Sequence, residues 1–350
     1  MDKIFVSSIK DNEKIDSVFL VKTKTVQTGK TGKPYIFLKL SDMTGDIKGN
    51  VWDNVQKYIN LFEEGDLVHI KSRSLMFQNE PQLNISEIRK VQVPPFELNF
   101  FLKTTKFNAE DMFTELSSIL RKNIDDKYVK ELVELFLHDT EYVSKLKILP
   151  AAKSIHHAYI GGLLEHTLSM AKAGLLLSKH YESIVNKDII LAGILLHDVG
   201  KLEEIKFEKN IAKYSDKGRL IGHIVLGVNL IDKKIDMIKD FPNELRVMIL
   251  HVVLAHHGEL EFGSPKKPKT VEALLLHFID NMDAKINQFA AITGGQNSVW
   301  SSYSKQLDRY ILNTKIFMSK TGDNDNVNKT ENNDMEAEEN GIPKETGELF

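Results

Sequence analysis

The chain has 350 residues, more than one compact core usually holds, so its length predicts two domains and leaves room for a tail. With 42% hydrophobic and 27% charged residues, its composition is that of a globular protein. No uninterrupted apolar run reaches the roughly 18–20 residues that a membrane span requires. Residues 1–14 lack the basic flank and apolar stretch of a secretion signal. We therefore expect a cytoplasmic protein without a membrane partner.

The sequence contains no cysteine, which excludes disulfides, thiolate zinc sites and cysteine nucleophiles. Any bound metal must therefore be held by His, Asp or Glu. The net charge of −3 is unevenly distributed, because residues 321–350 contain nine acidic residues and only two lysines. This stretch has few apolar residues, which predicts a disordered acidic tail over 319–350. The rest of the chain is mildly basic, which is compatible with an anionic partner.

The first part of the chain has the pattern of a small closed barrel. Five short segments have the composition or alternation of strands, and Gly-containing turns separate several of them. A short helical pattern at 55–62 lies between the third and fourth segments, and two prolines at 94 and 95 end the region. We predict an all-β domain over 1–95, with strands at 17–24, 35–40, 47–52, 65–72 and 81–93.

From residue 108 onward the hydrophobic period becomes helical. Three short amphipathic helices form a predicted connector over 96–152, and longer helices form a predicted all-α domain over 153–318. The predicted helices are 108–122, 126–138, 141–149, 158–180, 187–197, 221–238, 242–255, 270–290 and 303–318.

Most of the twelve histidines lie in the predicted all-α domain. An apolar run ends in the adjacent pair His197-Asp198, and Gly200 and Lys201 follow it. Residues that are neighbours in a helix are about 100° apart, so such a pair at a helix end can direct both side chains into one cavity. Imidazole and carboxylate are ligands for a hard or borderline divalent cation.

One pair cannot complete a coordination sphere. Further candidates lie within or at the ends of apolar helices, where a strongly polar group is costly unless it is paired or metal-bound. Together they favour a shared ion. These candidates are His166, His223, His256, His257 and Asp280.

The order His166, His197-Asp198, Asp280 resembles that of the HD-domain metal-dependent phosphohydrolases. The additional histidines resemble the subgroup that holds two metals, and a barrel ahead of such a domain resembles the YhaM-type 3′→5′ exoribonucleases. The resemblance implies a multidomain fold: an N-terminal all-β OB-like barrel, then an all-α HD domain, then the disordered acidic tail. It covers roughly residues 1–318.

The resemblance also implies roles for individual residues. One metal would be held by His166, His197, Asp198 and Asp280; Asp198 would bridge to a second held by His223 and His256, with His257 as a further ligand. Asp198 and Lys201 would be catalytic, with Lys201 neutralising a phosphate oxygen. Ligands without sulfur favour two Mn²⁺ ions, with Mg²⁺ or Fe as alternatives. Glu165 is interpreted as a residue that holds a ligand imidazole, and Asp283 is left open between a salt bridge and the site.

The barrel carries a candidate nucleic-acid surface. Alternation places Tyr35, Phe37 and Lys39 on the outer face of one strand. Exposed aromatics beside cations bind single strands, because bases stack on the rings and lysines follow the phosphates. We add Lys24, Lys33 and Arg73 to this surface, and leave Trp52 open. The alternatives are that Phe37 packs under the helical domain and that the lysines form only a solvated turn. His156 and His157 are expected to be exposed before a helix, as possible substrate contacts.

The candidate ligands predict metal-dependent hydrolysis, and the resemblance implies a 3′→5′ exoribonuclease that acts on single-stranded RNA, with single-stranded DNA as a second substrate, and releases 5′ nucleotides. We also expect a homo-oligomer, as the resemblance suggests. Two alternatives stay open. The first is a phosphohydrolase of small nucleotides or cyclic dinucleotides with a regulatory barrel. The second is a nucleic-acid-binding adaptor without catalytic activity.

Overall fold

The computed structural model describes residues 3–29, 32–77, 80–152, 157–294 and 298–322. These residues fall into two compact units, Met1–Gln288 and Phe289–Phe350, and each is described by itself. Most of the predicted acidic tail lies outside the described residues. Within the described residues, no helix combines the length and apolar character needed to cross a membrane.

The first unit begins with a closed five-stranded barrel. Its strands are β1 Lys14–Thr28, β2 Pro34–Asp42, β3 Gly45–Val51, β4 Leu67–Phe77 and β5 Glu80–Val91, and the short helix α1, Val55–Tyr58, lies between β3 and β4. The strand order is β1-β2-β3-β5-β4. The pair β3–β5 is parallel and the other pairs are antiparallel. This is the OB topology, so the predicted barrel is confirmed.

The alternation in β2 fixes which side chains face the barrel core. Ile36, Leu38 and Leu40 are fully buried, whereas Tyr35 and Phe37 are half-buried on the outer face. Since successive side chains of a strand point to opposite faces, burying the aliphatic set turns the aromatic set outward. The barrel therefore has its own core, separate from that of the helices.

The helices follow the barrel after a 3₁₀ segment, Pro95–Phe100. Side chains at Asn108, Asp126, Asp139 and Asn186 accept hydrogen bonds from backbone N–H groups and begin four of them. The helices are α2 Ala109–Asn123, α3 Lys127–Leu137, α4 Thr140–Ile148, α5 Gly162–His180, α6 Lys187–Leu196, α7 Lys201–Glu204, α8 Asp216–Ile221, α9 His223–Ile235, α10 Asn243–Leu254 and α11 Val271–Thr293. Apart from Lys187, every residue of α6 is buried, so this helix lies at the centre of the core.

A β-hairpin interrupts the domain that we predicted to be all-α. Strands β6, Ile205–Glu208, and β7, Ile211–Tyr214, pair in an antiparallel ladder. The two turn residues, Lys209 and Asn210, both have positive φ, at 46° and 67°. That pattern is typical of a two-residue type I′ turn, which matches the twist of a hairpin.

The hairpin contacts the barrel. Lys209 forms an ion pair with Glu63, and Lys213 Nζ lies 2.8 Å from Glu64 Oε2. Gly65 has a φ of +88°, and a Cβ at this position would lie only 2.1 Å from the carbonyl oxygen of Lys209. Only glycine allows this backbone conformation together with such a close approach. The loop 63–65 and the hairpin therefore pack closely against each other.

In the second unit, the predicted helix 303–318 is wrong. Bridges join Trp300 to Leu312 and Ser304 to Arg309, and helix α12 spans only Thr314–Gly322. Leu307 and Ile311 are buried, so their spacing of four reflects a folded turn rather than a helical face. The helix also extends past residue 318, where we placed the start of the tail.

The contact between Gly65 and the hairpin predicts a specific loss of stability. Gly65→Ala should lower the free energy of unfolding by about 1–3 kcal/mol more than Gly32→Ala, because only the first methyl group meets a neighbour. Gly32 has a similar φ of +77° with nothing within 4 Å of its Cβ position. Chemical denaturation of both variants measures the difference. Equal losses of unfolding free energy in the two variants would show that the strained backbone conformation, and not the contact with Lys209, is responsible.

Candidate metal centre

Five helices of the helical domain bring the predicted ligands together. His166 lies in the first turns of α5, and His197 and Asp198 follow the last residue of α6. His223 is the first residue of α9, and His256 and His257 lie just after α10. Asp280 lies on α11. The imidazoles form a continuous group, with ring centroids of successive members 4.4–5.5 Å apart.

Each imidazole is oriented through its Nδ1 atom. His197 Nδ1 lies 2.8 Å from the carbonyl oxygen of Ile194, and His256 Nδ1 lies 2.7 Å from that of Val253. Because a carbonyl oxygen can only accept a hydrogen bond, Nδ1 carries the proton in both rings. Nε2 of each ring then has the free lone pair that a metal ligand requires.

Carboxylates orient two further histidines in the same way. His223 Nδ1 lies 3.2 Å from Glu204 Oε1, and His166 Nδ1 lies 2.7 Å from Asp283 Oδ2. His166 Nε2 in turn lies 3.2 Å from Asp280 Oδ1. A carboxylate behind an imidazole fixes its orientation and makes it a stronger ligand.

The inward-facing atoms converge on Asp198. Its Oδ2 lies 3.2 Å from His197 Nε2, and its Oδ1 lies 3.6 Å from His223 Nε2 and 3.9 Å from His256 Nε2. These three Nε2 atoms and Asp198 Oδ1 are buried without a hydrogen-bond partner among the described residues. A buried polar atom left without a partner is costly. Divalent cations bound here would satisfy these atoms, so the donor set fits a metal.

The donors divide into two groups that could each hold an ion. His166, His197 and Asp198 have ligand atoms within 4.8 Å of one another, and so do His223, His256 and His257. Asp198 lies beside both groups. This division resembles the two predicted ligand sets. The assignment of individual ligands stays a prediction.

The electrostatics favour the protonation states that ligands need at Asp198, His256 and His257, but they favour the charged form of His166, which has to lose a proton to bind a metal. Burial opposes ionisation of Asp198, but the Lys201 ammonium, with a smaller effect from the adjacent His197, outweighs it and holds the pKa of this carboxyl well below the usual value. Burial, reinforced by neighbouring histidines, lowers the pKa of His256 and of His257, which keeps both neutral. Burial also lowers the pKa of His166, yet Asp280 and Asp283 outweigh it and raise that pKa to about 9.

Lys201 lies against Asp198. Its Nζ is 2.5 Å from Asp198 Oδ2 and 2.6 Å from the carbonyl oxygen of Ala151, and its side chain is largely buried. An ammonium group has three donors, so two are engaged here. In this structure Lys201 therefore holds the Asp198 carboxylate. Its contact with a substrate phosphate stays a prediction.

The expectation that His157 is exposed is wrong. It is 4% exposed, its Nδ1 lies 2.9 Å from Tyr159 Oη, and its Nε2 lies 3.0 Å from Asp283 Oδ2. Its ring therefore has Tyr159 and Asp283 as hydrogen-bond partners, and its position before a helix did not indicate these contacts. His156 lies outside the described residues.

Of the two carboxylates that orient ligands, sequence reasoning left Asp283 open and missed Glu204. We assigned that task to Glu165, but Glu165 accepts a hydrogen bond from Thr105, and Asp283 orients His166 instead. Asp283 follows Asp280 by three residues on α11, a spacing that places both on one helical face, so a signal existed. Glu204 carried no such signal, because its contact with His223 depends on tertiary structure.

On the barrel, Tyr35 stacks on Trp52, with ring centroids 4.4 Å apart, and Trp52 is 49% exposed. Phe37 is half-buried on the same strand, and Lys33 is exposed in the turn before it. Lys39 Nζ lies 2.9 Å from Asp46 Oδ2, which Lys22 also contacts. These residues form an outer face with aromatic and cationic groups, which we call the aromatic face.

Two residues that we predicted for this surface, Lys24 and Arg73, are not part of the aromatic face. Lys24 pairs with Leu38 in the register, on the inward side, and its Nζ bonds to the carbonyl oxygens of Tyr58, Ile59 and Phe62. A register shift between Val21 and Thr23 precedes it, which the sequence pattern did not show. Arg73 is exposed on β4 and donates to Asn12 Oδ1 at 2.6 Å.

This fold and this site define a class: an HD-type metal centre in a helical domain that follows an OB barrel. Comparison with known proteins agrees. The family model for the HD domain matches residues 163–285, and that for the OB-fold nucleic acid binding domain matches residues 20–91. A curated relative from Geobacillus sp. (strain WCH70), the 3′-5′ exoribonuclease YhaM, is 33% identical over 276 residues, covering 79% of this chain and 83% of the relative.

The chain therefore belongs to the family of YhaM-type 3′-5′ exoribonucleases. The HD domain implies dependence on a divalent metal, and the OB domain implies nucleic-acid binding. Among solved structures, the second OB-fold domain of replication protein A from Methanococcus maripaludis is 18% identical, with a TM-score of 0.22, covering 26% of this chain and 97% of that one. The S. cerevisiae mitochondrial single-stranded DNA binding protein Rim1 is 14% identical, with a TM-score of 0.21, covering 24% and 100%.

The contact between Asp283 and His166 predicts an effect on metal binding. Asp283→Ala removes the acceptor that orients His166, and we expect about 10- to 100-fold weaker Mn²⁺ binding. Asp283→Asn retains an acceptor oxygen and should lose less. Calorimetric titration of the metal-free protein measures both. The control is Asp53→Ala, at an exposed residue of the barrel. Unchanged affinity in Asp283→Ala would contradict this role.

Proposed function

We propose that this chain is a metal-dependent 3′→5′ exoribonuclease that hydrolyses the terminal phosphodiester bond of single-stranded RNA and releases 5′ nucleotides. One observation carries the proposal. Buried Nε2 atoms of His197, His223 and His256 converge with Asp198 Oδ1, and none of the four has a hydrogen-bond partner among the described residues. The similarity to the Geobacillus exoribonuclease supports the substrate and the direction.

The donor set supports two ions rather than one. Asp198 has one oxygen near each histidine group, and it is the residue we propose to bridge. Nitrogen and oxygen donors without sulfur favour Mn²⁺, with Mg²⁺ or Fe as alternatives. Bound divalent ions would lower the pKa of a water molecule and stabilise negative charge on the phosphate.

The protein's own residues prepare this centre. Lys201 keeps Asp198 ionised and in place, and the acceptors behind each Nδ1 keep the imidazoles aimed inward. Burial of the ligands excludes bulk water from their sides. All of these groups are in position in the folded chain, so little reorganisation is needed when substrate arrives.

We propose that the barrel captures the RNA strand. The Tyr35–Trp52 stack presents an exposed ring at the surface of β2 and β3, and Phe37, Lys39 and Lys33 lie near it. Base stacking of this kind tolerates any sequence. The same surface would also bind single-stranded DNA, so the barrel alone does not discriminate between RNA and DNA.

Substitution of a ligand tests the site. Asp198→Ala or His166→Ala should abolish hydrolysis of an end-labelled single-stranded RNA in Mn²⁺, while RNA binding measured by anisotropy stays near wild type. His180→Ala, at an exposed histidine near the end of α5, is the matched control and should retain activity. Wild-type turnover in either ligand variant would overturn the site assignment.

Product sizing tests the polarity and the substrate class. A 5′-labelled RNA should shorten stepwise from its 3′ end, with 5′ mononucleotides as the other product. Faster turnover of mononucleotides or cyclic dinucleotides than of RNA would instead support a small-nucleotide phosphohydrolase.

We also propose that the chain forms a homo-oligomer. Helix α11 carries an exposed apolar stripe at spacings of three and four residues, formed by Val271, Leu274, Phe278, Met282 and Ile286. An apolar stripe on a helix normally faces a partner, and exposed stripes of this length are typical of interaction sites.

The stripe predicts a mass that depends on Phe278. Light scattering should give a multiple of 39.9 kDa for the wild type. Phe278→Glu should shift the mass towards that of one chain, because a charge at the centre of an apolar interface is unfavourable. Leu176→Glu, at an exposed position on α5, should leave the mass unchanged. A wild type that is monomeric at all concentrations would refute the proposal.

A further inference from the structure

A loop of residues 258–269 connects α10 to α11 and borders the metal centre. It contains a single 3₁₀ turn, Leu260–Phe262. The carbonyl oxygen of Phe262 lies 2.9 Å from His257 Nδ1, and the ring of His257 lies next to those of His256 and His223. The backbone of Phe262 is therefore one hydrogen bond away from the proposed ligands.

Several bonds hold this loop against its two helices. Ser264 Oγ is buried, 3.1 Å from the carbonyl oxygen of Leu254, and the backbone N–H of Lys269 donates to His251 Nε2 at 2.9 Å. Gly258 has a φ of +78°, and a Cβ there would lie 2.4 Å from the ring of His277. A loop held at both ends needs little ordering when it binds a ligand.

The outer side of the loop carries groups that have no role in this packing. The Phe262 side chain is 64% exposed although its backbone is anchored. Lys267 pairs with Glu259 at 2.6 Å. Lys266 and Lys269 are also exposed, and no carboxylate among the described residues lies within salt-bridge distance of either. The loop thus presents an exposed aromatic ring and two lysines without a carboxylate partner, and the backbone of the ring-bearing residue contacts His257.

We propose that this loop is the subsite for the 3′-terminal nucleotide, with the last base stacked on Phe262 and the backbone phosphates near Lys266 and Lys269. The inference rests on the proposed exoribonuclease function. An aromatic ring beside lysines is the combination that binds single-stranded nucleic acid, because the ring takes any base and the cations take the phosphates. The hydrogen bond between His257 and the Phe262 carbonyl ties this loop to the metal centre, whereas the aromatic face belongs to the barrel.

Substitution of Phe262 separates stacking from simple apolar contact. Phe262→Leu keeps an apolar side chain but loses the ring, and we expect KM for a short RNA to rise about tenfold with little change in kcat. Phe262→Tyr and Phe262→Trp should stay near wild type. The affinity for Mn²⁺, measured by calorimetric titration, should be unaffected in all three, because metal binding involves no base. The control is Tyr181→Leu, about 22 Å along α5 from His166.

The lysines give an independent measurement. Replacing Lys266 and Lys269 by Ala should reduce the salt dependence of RNA binding by about one in log–log slope for each lysine that contacts a phosphate. An unchanged slope would remove the phosphate part of the proposal.

The outcomes distinguish this inference from the function on which it rests. If the wild type does not degrade RNA, the proposed function fails. If the wild type degrades RNA and Phe262→Leu matches it in KM, only the subsite is wrong. Weaker Mn²⁺ binding by Phe262→Leu would also overturn the subsite, because it would show that Phe262 acts by holding His257. A change of oligomeric mass would overturn it in favour of a subunit contact.

Discussion

The carboxylate of Asp198 is the group on which the site depends. It is buried, it carries a full negative charge, and three imidazole Nε2 atoms lie within 3.9 Å of its oxygens. Lys201 balances part of this charge. One carboxylate oxygen and the three nitrogens still have no hydrogen-bond partner among the described residues. Such an arrangement is costly by itself and becomes favourable with a cation. In a site of this kind, the buried polar groups lower the stability of the metal-free fold and raise its affinity for a metal ion.

The anchoring of the imidazoles shows how helix ends build such a site. His197 and His256 each bond back to a carbonyl three residues earlier, at the end of α6 and of α10. The last carbonyls of a helix lack backbone partners, so an imidazole just beyond the end can donate to one of them. The same contact sets the tautomer and aims Nε2 into the cavity. Helix ends, rather than loops, therefore place these ligands with little freedom.

The parts that sequence could predict are those with a local signal. Alternation in β2 identified the buried set Ile36, Leu38 and Leu40, and the adjacent pair His197-Asp198 at the end of an apolar run marked the site. The missed features depend on contacts between distant segments. Lys24 faces inward because of a register shift, and His157 is buried because Asp283, 126 residues away, lies over it. Hydrophobic period carries no information about such contacts.

The hairpin β6–β7 lies within the helical domain and contacts the barrel. Glu204, which orients His223, is the residue immediately before β6, and the turn of the same hairpin meets Gly65 in the barrel. Four residues thus separate Glu204, which orients a proposed ligand, from Lys209, which contacts the barrel. The same short hairpin therefore contacts the barrel at its turn and adjoins, at its base, the residue that orients His223.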